Sequence, residues 1–267
     1  MTTPQLTITE LASPVAPNAV VVLIPGLGTE VAATLPRLTA YLDPRWHVIG
    51  VDLPGHGRSP AWESAGGESM HELGLGVVQA LDGHLARRPE LEGLPVRVAG
   101  SSLAGGLALQ IGFDHPDRVG RVAAVCSAAR IGEPETWHQR AAAVLEDGTE
   151  QLVAGNRERW FSPGFAEKHP DTVEEVMSGL RAADRGSYAA LCRVVETFDL
   201  RDHLPEITVP VLAITGGHDA VTPADQGREI AESVRFGTLA TIEDAAHQAA
   251  IEFPEHVAAA MRHAFSR

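Results

Sequence analysis

Positive charge is scarce in this sequence. Its 267 residues contain 21 Lys and Arg against 35 Asp and Glu, which gives a formal net charge of −14. Nucleic acid and anionic membrane surfaces would repel such a chain at long range, so we expect neither as a partner. An anionic small molecule would need a specific Arg or Lys in its pocket to overcome the overall field.

Cysteine and long apolar runs are scarce as well. Cys126 and Cys192 each lie in an apolar periodic segment, which predicts reduced, buried thiols and not a disulfide framework. No apolar run approaches the roughly 18 residues of a membrane helix, and the N-terminus MTTPQLTITE lacks a basic region followed by an apolar stretch. These features predict a cytoplasmic protein.

Short β-branched runs alternate with helical patterns along most of the chain. Most runs are nearly continuous in apolar residues, which is typical of parallel strands covered on both faces. Helical patterns such as Met70–Leu85 and Leu103–Phe113 fill the gaps, so we predict an α/β fold with right-handed crossovers. Pro14 and Pro17 predict an irregular N-terminal segment. The predicted strands are Ala19–Ile24, Trp46–Val51, Val96–Ala99, Val119–Cys126, Val209–Thr215 and Gly237–Ile242.

The region from Glu133 to about Asp199 breaks this alternation. It contains amphipathic helical patterns separated by Gly or Pro, and no good strand. Because it lies between two predicted strands, we expect a helical lid over the strand ends, where open α/β sheets bind ligands. A helical layer that only stabilises the fold is the alternative. We therefore predict a core in two parts, residues 1–132 and 201–267, and a helical cap over residues 133–200.

The stretch GSSLAG contains two adjacent serines directly after a predicted strand. A nucleophile elbow needs a strand, a sharp turn with a strained residue at its tip, and a helix immediately afterwards. Small residues must flank the tip two positions before and after it, because larger side chains would collide with the neighbouring backbone. Ser102 meets this requirement with Gly100 and Ala104, whereas Ser101 would place the large Leu103 at a flank. Ser102 is therefore the predicted nucleophile.

Two later loops offer partners for Ser102. GGHDAVTP follows an apolar strand and presents Asp219, and EDAAHQAA follows the last strand and presents His247. The chain order Ser, acid, His, with all three at strand ends, is that of a hydrolase catalytic triad. Taken singly, Asp219 could be a turn residue and His247 a polar residue at a helix start. The weaker neighbouring candidates are His218, Asp225, Glu243 and Asp244.

An oxyanion hole needs backbone N–H groups aimed at the charge that develops in the transition state. We expect one from Leu103, which follows the nucleophile, and a second from Leu27 in the loop IPGLGT. A plain glycine-rich turn is the alternative for that loop. A phosphate loop is not supported, because PGLGTE lacks the G-x-G-x-x-G spacing and a Lys-Ser/Thr pair.

The histidines other than His247 do not suggest further catalytic or metal sites. His56, in DLPGHGRS, precedes the nucleophile in the chain, and we expect it to serve loop structure. The sequence contains no H-x-H or H-E-x-x-H grouping, so no metal site is predicted.

Taken in order, the segments PGLG, DLPGHGRS, GSSLAGG, GGHDAVTP and AAHQAAIEFPE resemble the α/β-hydrolase superfamily over nearly the whole chain. CSAARIGEPETWHQRAAAV and RWFSPGFAEKHPD, in the insertion, are similar to the corresponding stretches of 3-oxoadipate enol-lactonases, which open a lactone in aromatic-compound degradation. The resemblance implies an α/β-hydrolase fold and hydrolysis of a small carboxylated lactone by Ser102, His247 and Asp219, without a cofactor.

The same resemblance suggests substrate-binding residues. Arg130 lies in a string of the form A-[K/R]-I-G, where it would bind a substrate carboxylate. Trp137 and Trp160 could line the pocket or belong to the hydrophobic core. A general carboxylesterase or a C–C bond hydrolase could use the same three catalytic residues, and a ligand-binding protein with negligible turnover could share the fold.

Overall fold

The computed structural model describes residues 3–63 and 66–266 and is built around a seven-stranded sheet. In space the strands follow the order β1-β3-β2-β4-β5-β6-β7. β1 is antiparallel to β3, and all other neighbouring strands are parallel. In chain order they are β1 (Ile8–Ala12), β2 (Ala19–Ile24), β3 (Trp46–Val51), β4 (Val96–Ser101), β5 (Arg121–Val125), β6 (Val211–Gly216) and β7 (Gly237–Ile242).

The predicted α/β-hydrolase fold is confirmed, and the structure corrects two details of the sheet. The strand Ile8–Ala12, which pairs with the edge of the sheet before the two prolines, is absent from the predicted strands. The fifth strand is shorter than the predicted Val119–Cys126, because Cys126 has a positive φ of 46° that takes the chain out of the extended conformation.

The central strand β2 shows why the apolar runs are continuous. Successive side chains of a strand point to opposite faces of the sheet. Val20, Val22 and Ile24 therefore pack into one hydrophobic core, whereas Ala19, Val21 and Leu23 pack into a second core on the other face. All six residues are buried, so neither face of the strand tolerates a polar side chain.

Helices cover both faces of the sheet. Side chains of α2 (Met70–Leu85), α3 (Leu103–Asp114) and α9 (Ala224–Ser233) contribute to the first core. Those of α1 (Val31–Thr39), α10 (Ala249–Glu252) and α11 (Pro254–Phe265) contribute to the second. Cys126 and Cys192 are free and buried, as predicted. Within the described ranges, the helices are too short or too polar to cross a membrane.

A helical segment lies between β5 and β6. It contains α4 (Pro134–Asp147), α5 (Val153–Trp160), α6 (Pro163–Lys168), α7 (Pro170–Ala182) and α8 (Arg185–Thr197). The amide of Leu200 donates a hydrogen bond to the carbonyl of Ala129 at 2.8 Å, and this bond joins the two ends of the insertion. Trp160, Leu180 and Tyr188 of the insertion belong to the first core. The insertion and the sheet therefore share one continuous hydrophobic core.

Candidate active site

Ser102 occupies a strained turn between β4 and α3. Its φ of 56° and ψ of −124° are unusual for a residue with a side chain. The turn is held by the Ser102 amide, which donates to the carbonyl of Val125 at 2.9 Å. This backbone places the Ser102 hydroxyl at the C-terminal edge of the sheet, at the start of a helix, as a nucleophile elbow requires.

The small flanking residues are needed for this turn. A Cβ on Gly100 would lie 1.9 Å from the carbonyl oxygen of Ala104, a distance that no side chain could accept. Ala104 is itself fully buried under the elbow. The flank argument that favours Ser102 over Ser101 therefore rests on direct backbone contact between positions 100 and 104.

Asp219 and His247 form a buried pair. His247 Nδ1 lies 2.9 Å from Oδ2 and 3.1 Å from Oδ1 of the Asp219 carboxylate. The His247 side chain is 3 % exposed and the Asp219 side chain 0 %, so water does not compete for this contact. Asp219 Oδ1 also accepts hydrogen bonds from the amides of Val221 and Thr222, and Oδ2 accepts one from the Thr222 hydroxyl at 2.7 Å.

These contacts fix the charge and the tautomer of the pair. Burial alone would raise the pKa of the Asp219 carboxyl, but hydrogen bonds from His247 and Thr222 outweigh it and hold that pKa below its usual value. The resulting carboxylate accepts the Nδ1 proton of His247 and leaves Nε2 as the basic nitrogen. Among the described residues, His247 Nε2 and the Ser102 hydroxyl make no hydrogen bond within 3.5 Å, to each other or elsewhere. Such contacts are often long before substrate binds.

Cys126 connects the elements that carry these three residues. It follows Val125, the acceptor for the Ser102 amide, and its thiol points at the carbonyl of Ala246, at 3.8 Å. Ala246 directly precedes His247 in the chain. Burial, followed by the charge of Asp219, raises the pKa of the Cys126 thiol well above its usual value, so the thiol stays protonated and unreactive.

The two predicted oxyanion donors lie in two segments next to Ser102. The amide of Leu103 is at the start of α3, where a helix leaves its first N–H groups unsatisfied. The Leu27 loop lies against Ser102, because a Cβ on Gly26 would be only 3.3 Å from Ser102 Cβ. Within residues 3–63 and 66–266, neither the Leu27 nor the Leu103 amide has a protein acceptor. Both N–H groups are available to a ligand.

His56 lies beneath the Leu27 loop. Its Nε2 accepts a hydrogen bond from the amide of Gly28 at 3.0 Å, and its Nδ1 donates to the carbonyl of Pro54 at 2.8 Å. Burial lowers the pKa of His56 to about 4, so the ring is neutral near pH 7. The expected role of His56 in loop structure agrees with these contacts.

Aromatic side chains of the insertion cover this loop. A Cβ on Gly28 would lie 3.2 Å from the Trp160 ring and 3.5 Å from the Tyr188 ring. Trp160 also contacts the loop that carries His247, because its carbonyl accepts a hydrogen bond from the amide of Gln248 at 2.9 Å. The Trp137 indole donates to the carbonyl of Ile131 at 2.6 Å and has a partly buried ring. Trp160 is thus adjacent to the predicted oxyanion loop, and Trp137 lies at the base of α4.

Two arginines of the insertion, Arg140 and Arg159, lie close enough for their charges to interact. The guanidinium carbon of Arg140 lies 4.9 Å from the centre of the Trp137 ring. Burial raises the pKa of Tyr188, and the nearby charge of Arg140 opposes that rise. Burial, then the charge of Arg140, lowers the pKa of Arg159. In the described ranges neither arginine has a carboxylate within 4.0 Å.

Arg130, unlike Arg140 and Arg159, forms an ion pair with a carboxylate. Its guanidinium donates to the Glu133 carboxylate at 2.7 Å, and its side chain is 30 % exposed. The sequence pattern identifies Arg130 through its similarity to a family motif, and it could not reveal this local ion pair. Sequence reasoning also missed Thr222 and Arg140. The spacing D-x-x-T could have indicated Thr222, whose hydroxyl reaches the carboxylate three residues earlier.

In the part of the chain that the structure describes, no group of three or more His, Cys, Asp or Glu side chains could hold a metal ion. The chemical groups at the C-terminal edge of the sheet are instead a hydroxyl, an imidazole paired with a carboxylate, and two unpaired amides. This combination can support nucleophilic attack on a carbonyl carbon.

Comparisons with known proteins identify relatives of this chain. A family model described as "Serine aminopeptidase, S33" matches residues 15–253. 3-Oxoadipate enol-lactonase 2 of Acinetobacter baylyi is 32 % identical over 86 % of this chain and 82 % of its own length. A pimeloyl-[acyl-carrier protein] methyl ester esterase of Chromobacterium violaceum is 31 % identical over 85 % of this chain and 86 % of its own.

A solved structure matches this chain over nearly its whole length. The enol-lactonase from Burkholderia xenovorans LB400 superposes with a TM-score of 0.89 and 27 % identity, covering 98 % of this chain and 96 % of that one. The matched region contains the elbow, both partner loops and the helical insertion. The chain therefore belongs to the α/β-hydrolase superfamily, as a hydrolase of the ester and lactone type related to the 3-oxoadipate enol-lactonases.

Proposed function

We propose that this protein hydrolyses the ester bond of a small carboxylated lactone, such as 3-oxoadipate enol-lactone, with Ser102 as nucleophile. The observation that supports this most is the buried His247–Asp219 pair, with Nδ1 2.9 Å from the carboxylate, at the same sheet edge as the strained Ser102. A turn or helix cap alone would not require a buried imidazole on a buried carboxylate.

The proposed reaction is acyl transfer through a serine ester. His247 Nε2 takes the Ser102 proton while Oγ attacks the lactone carbonyl, and the amides of Leu103 and Leu27 stabilise the oxyanion. Asp219 orients the imidazole and stabilises its protonated form. When the ring C–O bond breaks, His247 returns the proton to the leaving enolate oxygen. Water, activated by His247, then hydrolyses the acyl-enzyme and releases the acid.

The insertion supports a negatively charged substrate. Arg140 and Arg159 carry like charges close together, and in the described residues neither forms an ion pair within 4.0 Å. Tyr188, whose pKa the charge of Arg140 affects, packs on Gly28 of the oxyanion loop. In a chain with a net charge of −14, this pair of guanidinium groups near the candidate site suits a substrate carboxylate. The relatives named enol-lactonases support the same substrate class.

Arg130 is the other candidate for carboxylate binding, and one assay separates it from Arg140. Arg140→Ala should raise KM for the enol-lactone by about 10- to 100-fold, because a hydrogen bond to a charged group is lost. The same variant should hydrolyse p-nitrophenyl acetate, a neutral ester, within about twofold of wild type. If Arg130→Ala shows that selective loss and Arg140→Ala does not, Arg130 is the carboxylate ligand.

The substrate class is tested by comparing turnover of the enol-lactone with that of p-nitrophenyl acetate, in wild type and Ser102→Ala. Strong lactone hydrolysis that depends on Ser102 would support the proposal. Ester cleavage without lactone turnover would favour a general carboxylesterase, for which the similarity to a methyl ester esterase gives independent support. No Ser102-dependent activity on either compound would leave a C–C bond hydrolase or a ligand-binding protein.

A further inference from the structure

His56 is placed to act on the oxyanion loop through a single hydrogen bond. Its ring is 1 % exposed, and both ring nitrogens have backbone partners. The Pro54 carbonyl can only accept, so Nδ1 must carry the proton. The Gly28 amide can only donate, so Nε2 must be the acceptor, at 3.0 Å. The two contacts therefore require one tautomer of a neutral imidazole.

The bond to Gly28 reaches the central peptide of a turn. The amide of Thr29 donates to the Gly26 carbonyl at 3.0 Å, which closes a turn with Leu27 and Gly28 at its centre. Gly28 has a φ of 80°, the value that a type II turn needs at its third residue. A type II turn differs from type I by a flip of the peptide between the two central residues. That peptide joins Leu27 to Gly28, and its N–H donates the hydrogen bond to His56 Nε2.

Several hydrogen bonds hold the loop that carries His56. Its amide donates to the Leu53 carbonyl at 3.0 Å, and its carbonyl accepts the amide of Ser59 at 2.9 Å. The Asp52 carboxylate binds the amides of Val31 and Arg58, which connects this loop to the start of α1. The Tyr188 ring stacks on the imidazole, with centroids 6.1 Å apart.

We propose that His56 is a positioning residue for the oxyanion hole: its Nε2 holds the Gly28 N–H and thereby keeps the Leu27 amide aimed at the Ser102 reaction centre. This inference rests on the proposed acyl transfer. His56 does not touch substrate or exchange a proton during the reaction. Without this acceptor, the turn that carries Leu27 loses its side-chain anchor at Gly28, and the Leu27 N–H, in the preceding peptide, is held less firmly toward the developing charge.

Two substitutions separate the acceptor from the rest of the side chain. Gln at position 56 can place its Oε1 near the former Nε2 and accept from Gly28, whereas Asn can reach only the former Nδ1 position and donate to Pro54. Both variants remove the ring that stacks on Tyr188. A difference between them therefore reports the bond to Gly28 and not the loss of packing.

The experiment measures kcat and KM for p-nitrophenyl acetate in wild type, His56→Gln and His56→Asn, with Tm as the check on folding. We expect His56→Asn to lower kcat by about 10- to 100-fold with KM within threefold, because an oxyanion donor acts in the transition state. We expect His56→Gln to keep kcat within about fivefold of wild type. Equal losses in the two folded variants, or a loss confined to KM, would overturn the proposal.

Amide hydrogen exchange at Gly28 provides a measurement that needs no turnover. The Gly28 amide should exchange slowly in wild type and His56→Gln, and at least tenfold faster in His56→Asn. If wild type showed no Ser102-dependent hydrolysis, the proposed function would fail while this exchange pattern still reported on the turn. Rapid exchange of Gly28 in wild type would by itself refute the positioning role, even if neither variant folded.

Discussion

The carbonyl of Trp160 accepts a hydrogen bond from the amide of Gln248 at 2.9 Å, so the helical insertion is attached to the loop that presents His247. A second bond lies nearby, from the Ser162 amide to the Glu252 carboxylate at 3.1 Å. The insertion therefore does more than cover the sheet edge. Its position and that of the candidate base are coupled through two contacts at the end of α5.

Glu252 offers a way to loosen this connection. Glu252→Ala leaves the Ser162 amide without its acceptor, so we expect a fall in kcat/KM of about three- to tenfold, with kcat and KM both affected. Glu252→Gln retains a carbonyl oxygen and should restore most of the activity. Equal kinetics for wild type and Glu252→Ala would show that this bond does not position the His247 loop.

Ser102→Ala should lower kcat by about four to six orders of magnitude, because the nucleophile is lost while the oxyanion donors remain. Ser101→Ala is the matched control, since it removes the neighbouring hydroxyl from the same turn. The measurement is hydrolysis of p-nitrophenyl acetate, with circular dichroism to verify the fold. Full loss in Ser101→Ala and activity in Ser102→Ala would reverse the assignment made from the flanking residues.

Asp219→Asn should lower kcat by about 10⁴-fold with little change in KM. The amide group can donate to Nδ1 and so favours the wrong tautomer of His247. Thr222→Val removes only the hydroxyl that donates to Oδ2 at 2.7 Å, and we expect a loss of about tenfold or less. A Thr222→Val variant as inactive as Asp219→Asn would mean that Thr222 has a role of its own.

Gly100→Ala should prevent stable folding, because the added Cβ would lie 1.9 Å from the Ala104 carbonyl oxygen. We expect a loss of at least about 3 kcal/mol in the free energy of unfolding. Gly83→Ala in α2 is the control, since the nearest atom to its Cβ is 3.8 Å away on a flexible side chain. That variant should be stabilised by about 0.5–1 kcal/mol in urea denaturation. Wild-type stability in Gly100→Ala would refute the close contact at the elbow.

His47 and His84 form a buried pair on the far side of the molecule, with their Nε2 atoms 3.0 Å apart. Burial lowers the pKa of both rings, and the charge of His84 lowers that of His47 further. An unfolded His takes up its proton near pH 6.5. The folded pair does so only at lower pH, so the unfolded state binds more protons below that value.

The pair should therefore stabilise the fold fully above about pH 6.5, and this contribution should fall as the pH drops toward the folded pKa values. The measurement is Tm between pH 7.5 and pH 5. A double variant, His47→Leu with His84→Leu, should lose less Tm over this range than wild type. An unchanged pH dependence in the double variant would rule out the pair as its source.

The sequence alone determined the α/β architecture, the insertion and the candidate nucleophile. Each depends on local rules: β2 is continuously apolar because both faces are buried, and Gly100 with Ala104 singles out Ser102 because no larger flank fits. Chain order then selected Asp219 and His247. The strand β1 was not predicted from the sequence, because its local pattern is weak. Its antiparallel pairing with β3 at the edge of the sheet determines its conformation.

Only the tertiary structure decided which polar groups meet. Arg130 finds a carboxylate three residues away, whereas Arg140 is left without one among the described residues because α4 and α8 bring it to Tyr188. His56 and Gly28 are 28 positions apart and meet across two strand-end loops. The contacts of Arg140 and His56 depend on the packing of distant segments, and neither residue spacing nor composition encodes them in a readable form.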